Sequence, residues 1–162
     1  MTVWYPSHST KTPAVTYQIA NMNIARFRQA PDDPRLADFV NNLDHINALS
    51  DKAQGFVWRL RDDSGNAMAI CAYEDPRIIL NLSVWETIED LMAFAYRSEH
   101  VTFFRRRHEW FETMATPAMC LWWTPEGERP SPHKARRRLE HLIAHGPTAE
   151  AFTFKERFPP PV

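Results

Sequence analysis

The sequence predicts an α+β fold: a ferredoxin-like split βαβ unit with one antiparallel sheet, plus an extra C-terminal helix and tail. Three observations predict it. Strand-like and helix-like segments follow one another as β-α-β-β-α-β once the additions are set aside. The 162 residues make one domain. Several strands are apolar on both sides, as in a sheet covered on both faces.

Residues 1–14 carry Pro6 and Pro13 among hydroxyl side chains and read as a loose leader; residues 15–162 read as the single domain. YQIANMNIARF (17–27) is the first strand. APDDP (30–34) is a turn, and Pro34 suits the first position of a helix running to Leu49, with Leu36, Phe39, Val40, Leu43 and Ile46 as its apolar stripe. Gly55 opens the strand GFVWRLRD, and DDSGN (62–66) is a tight turn. AMAICAY (67–73) fits a short strand or extended edge. RIILNLSVW (77–85) is the most strand-like segment in the chain. Thr87 with Asp90 three residues on caps a helix with the stripe Ile88, Leu91, Met92 and Ala95. A further helix is predicted over 98–114, a last main strand over 117–124 (PAMCLWWT), and a helix over 133–145 stopped by Gly146-Pro147. Residues 131–162 form an extension expected to pack on the core, with AFTF (151–154) as an edge strand or clamp. With helices on one sheet face only, the second apolar face predicts a second copy of the chain, hence a homodimer.

Nineteen basic against twenty acidic residues leave a net charge of −1. That balance argues against nucleic acid as a partner, since such proteins carry a basic excess. Arg105–Arg107 and Arg136–Arg138 read as solvated helix faces. No apolar run is long enough to span a membrane. The start MTVWYPSHSTK lacks the pattern of a secretory signal, so a cytoplasmic chain is expected. Cys71 and Cys120 have no zinc or redox spacing and read as buried reduced thiols.

No phosphate-binding loop, HExxH motif or nucleophile elbow is present. His141 and His145, at i and i+4, lie beside the stripe of the last helix and read as solvent-facing, so no metal site is expected. The helix from Ser98 is more informative. His100, Phe103, Phe104, Arg107, Trp110, Phe111 and Met114 share one helix face. His100 and Arg107 interrupt it, two turns apart, and a polar group there needs a partner or a cavity. On 77–85, Asn81 and Ser83 share a face with Ile79 and Trp85, while Ile78, Leu80, Leu82 and Val84 form a clean apolar face. Asn21 and Asn23 share a face of the first strand, and Asn47 lies within the first helix's stripe. Mixed apolar walls with a few amides and hydroxyls are what a small-molecule pocket presents.

NIARFR, DDPRLADFV, GFVWRL, NLSVWE, RRRHEWF, LWW and EAFTFKERF resemble the family called domain of unknown function 3291, over residues 17–158. More widely, Trp85, Thr87 and Ser98 to His100 resemble the dimeric α+β barrel superfamily, which includes antibiotic-biosynthesis monooxygenases. The resemblance implies a homodimer with a small-molecule pocket between sheet and helices; the superfamily also holds haem-degrading enzymes, aldoxime dehydratases and isomerases, some of its members need no cofactor, and the first reading is a cofactor-free monooxygenase. A phenol-like substrate would lose a proton and reduce O₂ itself. In that chemistry His100 is the candidate proton shuttle, Asn23, Asn81 and Arg107 are donors to the developing oxyanion, and Trp85 and Trp110 are walls. Asn47, Ser83 and Phe104 complete the candidate substrate contacts. The rival readings are a non-catalytic binding module and a haem protein with His100 as the iron ligand.

Overall fold

Capping chemistry sets the element boundaries in the computed structural model, which describes residues 15–162; the leader predicted over 1–14 lies outside the described residues. After β1 (Tyr17–Arg26), the Asp33 side chain accepts from the Arg35 N–H at 2.9 Å and starts a 3-10 turn, Pro34–Leu36, that runs into α1 (Ala37–Asp51). β2 (Phe56–Arg59) and β3 (Ile78–Trp85) follow. Thr87 caps α2 (Ile88–Arg97), its hydroxyl accepting from the Asp90 N–H at 3.1 Å. Then come α3 (His100–Trp110), β4 (Met119–Pro125) and α4 (Pro132–His145). Ser131 caps α4 at Lys134 N–H, 3.1 Å, and Gly146, at φ +72°, ends it in a conformation that favours glycine.

The four strands form one antiparallel sheet in the order β2-β3-β1-β4. This is the split βαβ arrangement that the element order predicts. Side chains alternate between its faces. Ala20, Met22, Leu80, Leu82, Val84, Cys120 and Trp122 occupy one face. Ile19, Asn21, Asn23, Asn81, Ser83, Trp85 and Leu121 occupy the other, toward α1–α3.

The first of these faces is covered by α4 of the same chain. Ala135, Leu139 and Leu142 pack on it, and none of its seven side chains is more than 4% exposed. The apolar face for which the sequence predicts a second copy therefore has its cover within one chain. The tail contributes too: Phe152 and Leu121 exchange two backbone hydrogen bonds of 2.8 and 2.9 Å.

Several expectations about local structure are corrected. Residues 67–73 form turns, not a strand. The Asn66 side chain accepts from Met68 N–H, Ile70 N–H bonds back to Ala67, and the segment then crosses α4, where Arg136 donates to the Ala72 carbonyl and covers the Tyr73 ring at 4.6 Å. Cys71, in those turns, is exposed; Cys120 is buried, and burial pushes its thiol up to about 12, so it is inert. The helix predicted to Met114 ends at Trp110. Phe111 leaves it to stack on Phe27 at 5.0 Å, and Trp110 O and Glu112 N–H pair with Arg28 and Arg26, continuing beside β1. His141 is half-buried, 2.9 Å from the Thr148 hydroxyl, rather than free in solvent. No helix among the described residues is long and apolar enough to cross a membrane.

Candidate functional site

Between the sheet and α1–α3 lies a cavity of about 750 Å³, and a second of about 80 Å³ shares the walls of its inner end. The two share Asn21, Asn23, Asn47, Asn81, Arg59 and His100 in their walls. Strand register explains the polar floor. Asn23 faces Asn81 directly across β1 and β3, and Asn21 faces Ser83 in the next row. Asn23 and Asn81 are exposed although they sit on the two inner strands, because the space above them is open.

The inner end is held by a short chain of contacts. Trp85 Nε1 donates to Ser83 Oγ at 2.9 Å, and the indole stacks on Phe94 at 5.2 Å. Phe94 in turn lies 5.1 Å from the His100 ring. The turn between α2 and α3 places that ring. Ser98 Oγ donates to Phe94 O at 2.5 Å and accepts from His100 N–H at 3.1 Å. His100 Nδ1 is 3.5 Å from Ala95 O, and since a carbonyl can only accept, this contact favours hydrogen on Nδ1 and leaves Nε2 as the acceptor. Burial lowers the His100 pKa below its usual 6.5, against the smaller opposing effect of Ala95, so the imidazole is neutral at pH 7.

Arg59 enters the same wall, although alternation along β2 sets it opposite to Phe56. A bulge between Phe56 and Trp58 shifts the register: Phe56 pairs with Trp85, Trp58 with Val84 and Arg59 with Ser83. The extra residue turns Arg59 to the helix side of the sheet. There Asp51 accepts from Nε at 2.7 Å and from Nη2 at 3.1 Å, while Gly65 O accepts from Nη1 at 2.7 Å.

The outer end is aromatic. Trp110 is buried against Phe39 and Phe103, with ring centroids 5.6 and 6.5 Å away. Phe104 is 43% exposed and stands at the mouth. Arg107 is exposed beside it, folded over the Phe104 ring at 4.1 Å and donating to Phe104 O at 3.0 Å. Of the two polar groups that interrupt the α3 face, His100 is therefore at the inner end and Arg107 at the rim. All nine sequence-predicted site residues line one or both cavities: Asn23, Asn47, Asn81, His100, Phe104, Arg107 and Trp110 the larger, with Ser83 and Trp85 in the smaller. Arg59, Asn21 and Ser50 are additional wall residues. Of these, Asn21 is legible from its strand face, whereas Arg59 is hidden by the bulge. Among the described residues no group of three or more His, Cys, Asp or Glu side chains could hold a metal ion.

A family model described as "Domain of unknown function (DUF3291)" matches residues 18–162. No curated protein matches the chain. Among solved structures, the chain is similar to "Putative antibiotic biosynthesis monooxygenase from Nitrosomonas europaea", at 14% identity and a TM-score of 0.41, over 68% of this chain and 89% of that one. A likeness this distant says nothing about chemistry.

Proposed function

The chain belongs to the DUF3291 family, whose description assigns no chemistry, and we propose that it binds a planar, hydroxyl-bearing aromatic molecule in the cavity between the sheet and α1–α3. The observation that carries this reading is the pairing of two unlike ends. None of the side-chain hydrogen bonds found among the described residues involves the amides of Asn21, Asn23, Asn47 or Asn81, yet all four line one wall. The opposite wall is built from Phe103, Phe104 and Trp110. A cavity of about 750 Å³ with apolar walls and a few convergent polar groups has the size and chemistry of a ligand site.

The finer reading is an oxygenase that needs no cofactor. Neutral His100 takes the proton of the phenol-like substrate on Nε2, and the amides donate to the oxyanion that forms. The resulting carbanion reduces O₂. The ring C–H and the phenol O–H are lost as the phenol becomes a quinone: one atom of O₂ becomes the new C=O, and the other leaves as water with those two hydrogens.

Polycyclic phenols titrated into the full-length protein under air test both levels. We expect quenching of tryptophan fluorescence on binding, uptake of O₂, and one labelled oxygen in the product when labelled O₂ is supplied. His100→Gln should keep the quenching and lose the uptake. Binding without uptake by the wild type reduces the reading to a binding module. Absence of binding, or a Soret band in the purified protein, overturns it.

A further inference from the structure

We infer that the inner end of the cavity recognises a neutral group that both donates and accepts hydrogen bonds, of the carboxamide type, so that the hydroxyl-bearing aromatic ligand carries a carboxamide rather than a carboxylate. This rests on the cavity being a ligand site.

The inner wall holds four amides, each with two donor hydrogens and an acceptor oxygen. Asn21 is only 8% exposed, and its amide takes part in none of the side-chain hydrogen bonds found among the described residues. Its free valences open onto the cavity it lines. Amides opposite amides satisfy one another through paired donor and acceptor bonds, which a carboxylate, having acceptors alone, cannot reproduce.

The charge balance points the same way. Among the described residues Arg59 is the one permanent cation in the inner wall, and its side chain is 12% exposed. Asp51 already holds it through two hydrogen bonds, and Gly65 O takes a third. His100, in the same wall, is neutral. A carboxylate entering this wall would lose its water without gaining an unpaired cation, and a buried charge needs such a partner. A carboxamide has no charge to desolvate and can use the two Arg59 N–H groups that remain as donors.

Three probes of one shape separate the possibilities: naphthalene-2-carboxamide, naphthalene-2-carboxylate and 2-methylnaphthalene, titrated into the full-length protein by calorimetry. The carboxamide should bind at least tenfold more tightly than either of the others. In Asn81→Leu and, separately, in Asn23→Leu, the advantage over 2-methylnaphthalene should vanish while 2-methylnaphthalene still binds, which also shows that the variant is folded. Equal binding of carboxamide and 2-methylnaphthalene, or tightest binding of the carboxylate, overturns the inference and leaves the cavity as a ligand site. Binding of none of the three overturns the inference and the ligand site together.

Discussion

His100 is a residue whose protonation near neutral pH the fold controls. Its pKa is lowered by burial, so at a pH between the folded value and 6.5 the unfolded chain holds more protons than the folded one. Stability then rises with pH through that window. His100 imposes no penalty above pH 6.5, and the penalty grows as pH falls through 6.5 toward the lowered value. Melting temperatures of wild type and His100→Gln, compared from pH 7.5 downward, should run parallel above 6.5, with the wild type falling more steeply below it. Parallel curves throughout would contradict a buried neutral imidazole. If the ring also acts as a base, turnover should fall over the same acid limb. At this scale the sequence is readable where a polar group breaks a regular apolar pattern. His100 and the strand asparagines stand out for that reason. Arg107 breaks the same α3 pattern but is exposed at the rim, because a long stem lets the head reach water from an apolar face. Arg59 cannot be read, because a one-residue bulge reverses its side of the sheet and alternation carries no sign of it.

Between elements, the joint of β2 with α2 depends on Gly55. Its φ is +71°, and a β-carbon there would lie 2.2 Å from Asp90 Oδ2 and 2.6 Å from Asp90 Cβ. Asp90 cannot simply swing away, since its N–H and carboxylate both meet the Thr87 hydroxyl at the start of α2. Gly55→Ala therefore combines a left-handed alanine, about 1–2 kcal/mol, with loss of a helix cap, about 1 kcal/mol. Urea unfolding should show a loss of about 2–3 kcal/mol, and a loss under 0.5 kcal/mol would mean that the joint is soft. Elements with strong local signals are legible. Thr87 and Ser131 cap α2 and α4, and Gly146 closes α4. The end of α3 is not, because Phe111 fits the helical spacing and is drawn off by a distant partner, Phe27. Residues 67–73 fail for the reverse reason: their apolar composition suits a strand, but Asx and backbone turns claim their hydrogen bonds.

For the whole molecule, the question is what completes the sheet. Two-sided apolar strands show that both faces are covered, but composition cannot distinguish a second copy from a helix later in the same chain. Here α4 supplies the cover. Met22, Leu80, Leu82, Val84 and Trp122 are each at most 4% exposed in the single chain, so this face offers no apolar area for a partner to bury. Light scattering of the 162-residue chain at micromolar concentration should therefore give a mass near 18.9 kDa, and a mass twice that would mean that another surface joins two copies. Removal of everything after Thr124 makes the opposite case. Those five side chains lose their cover, at about 2 kcal/mol each. The sum, about 10 kcal/mol, is comparable to the whole stability of an ordinary domain. The truncated chain should lose its cooperative unfolding transition or associate through the bared face. A truncated chain that stays monomeric and melts as the full one does would show that α4 rests on the sheet without holding it.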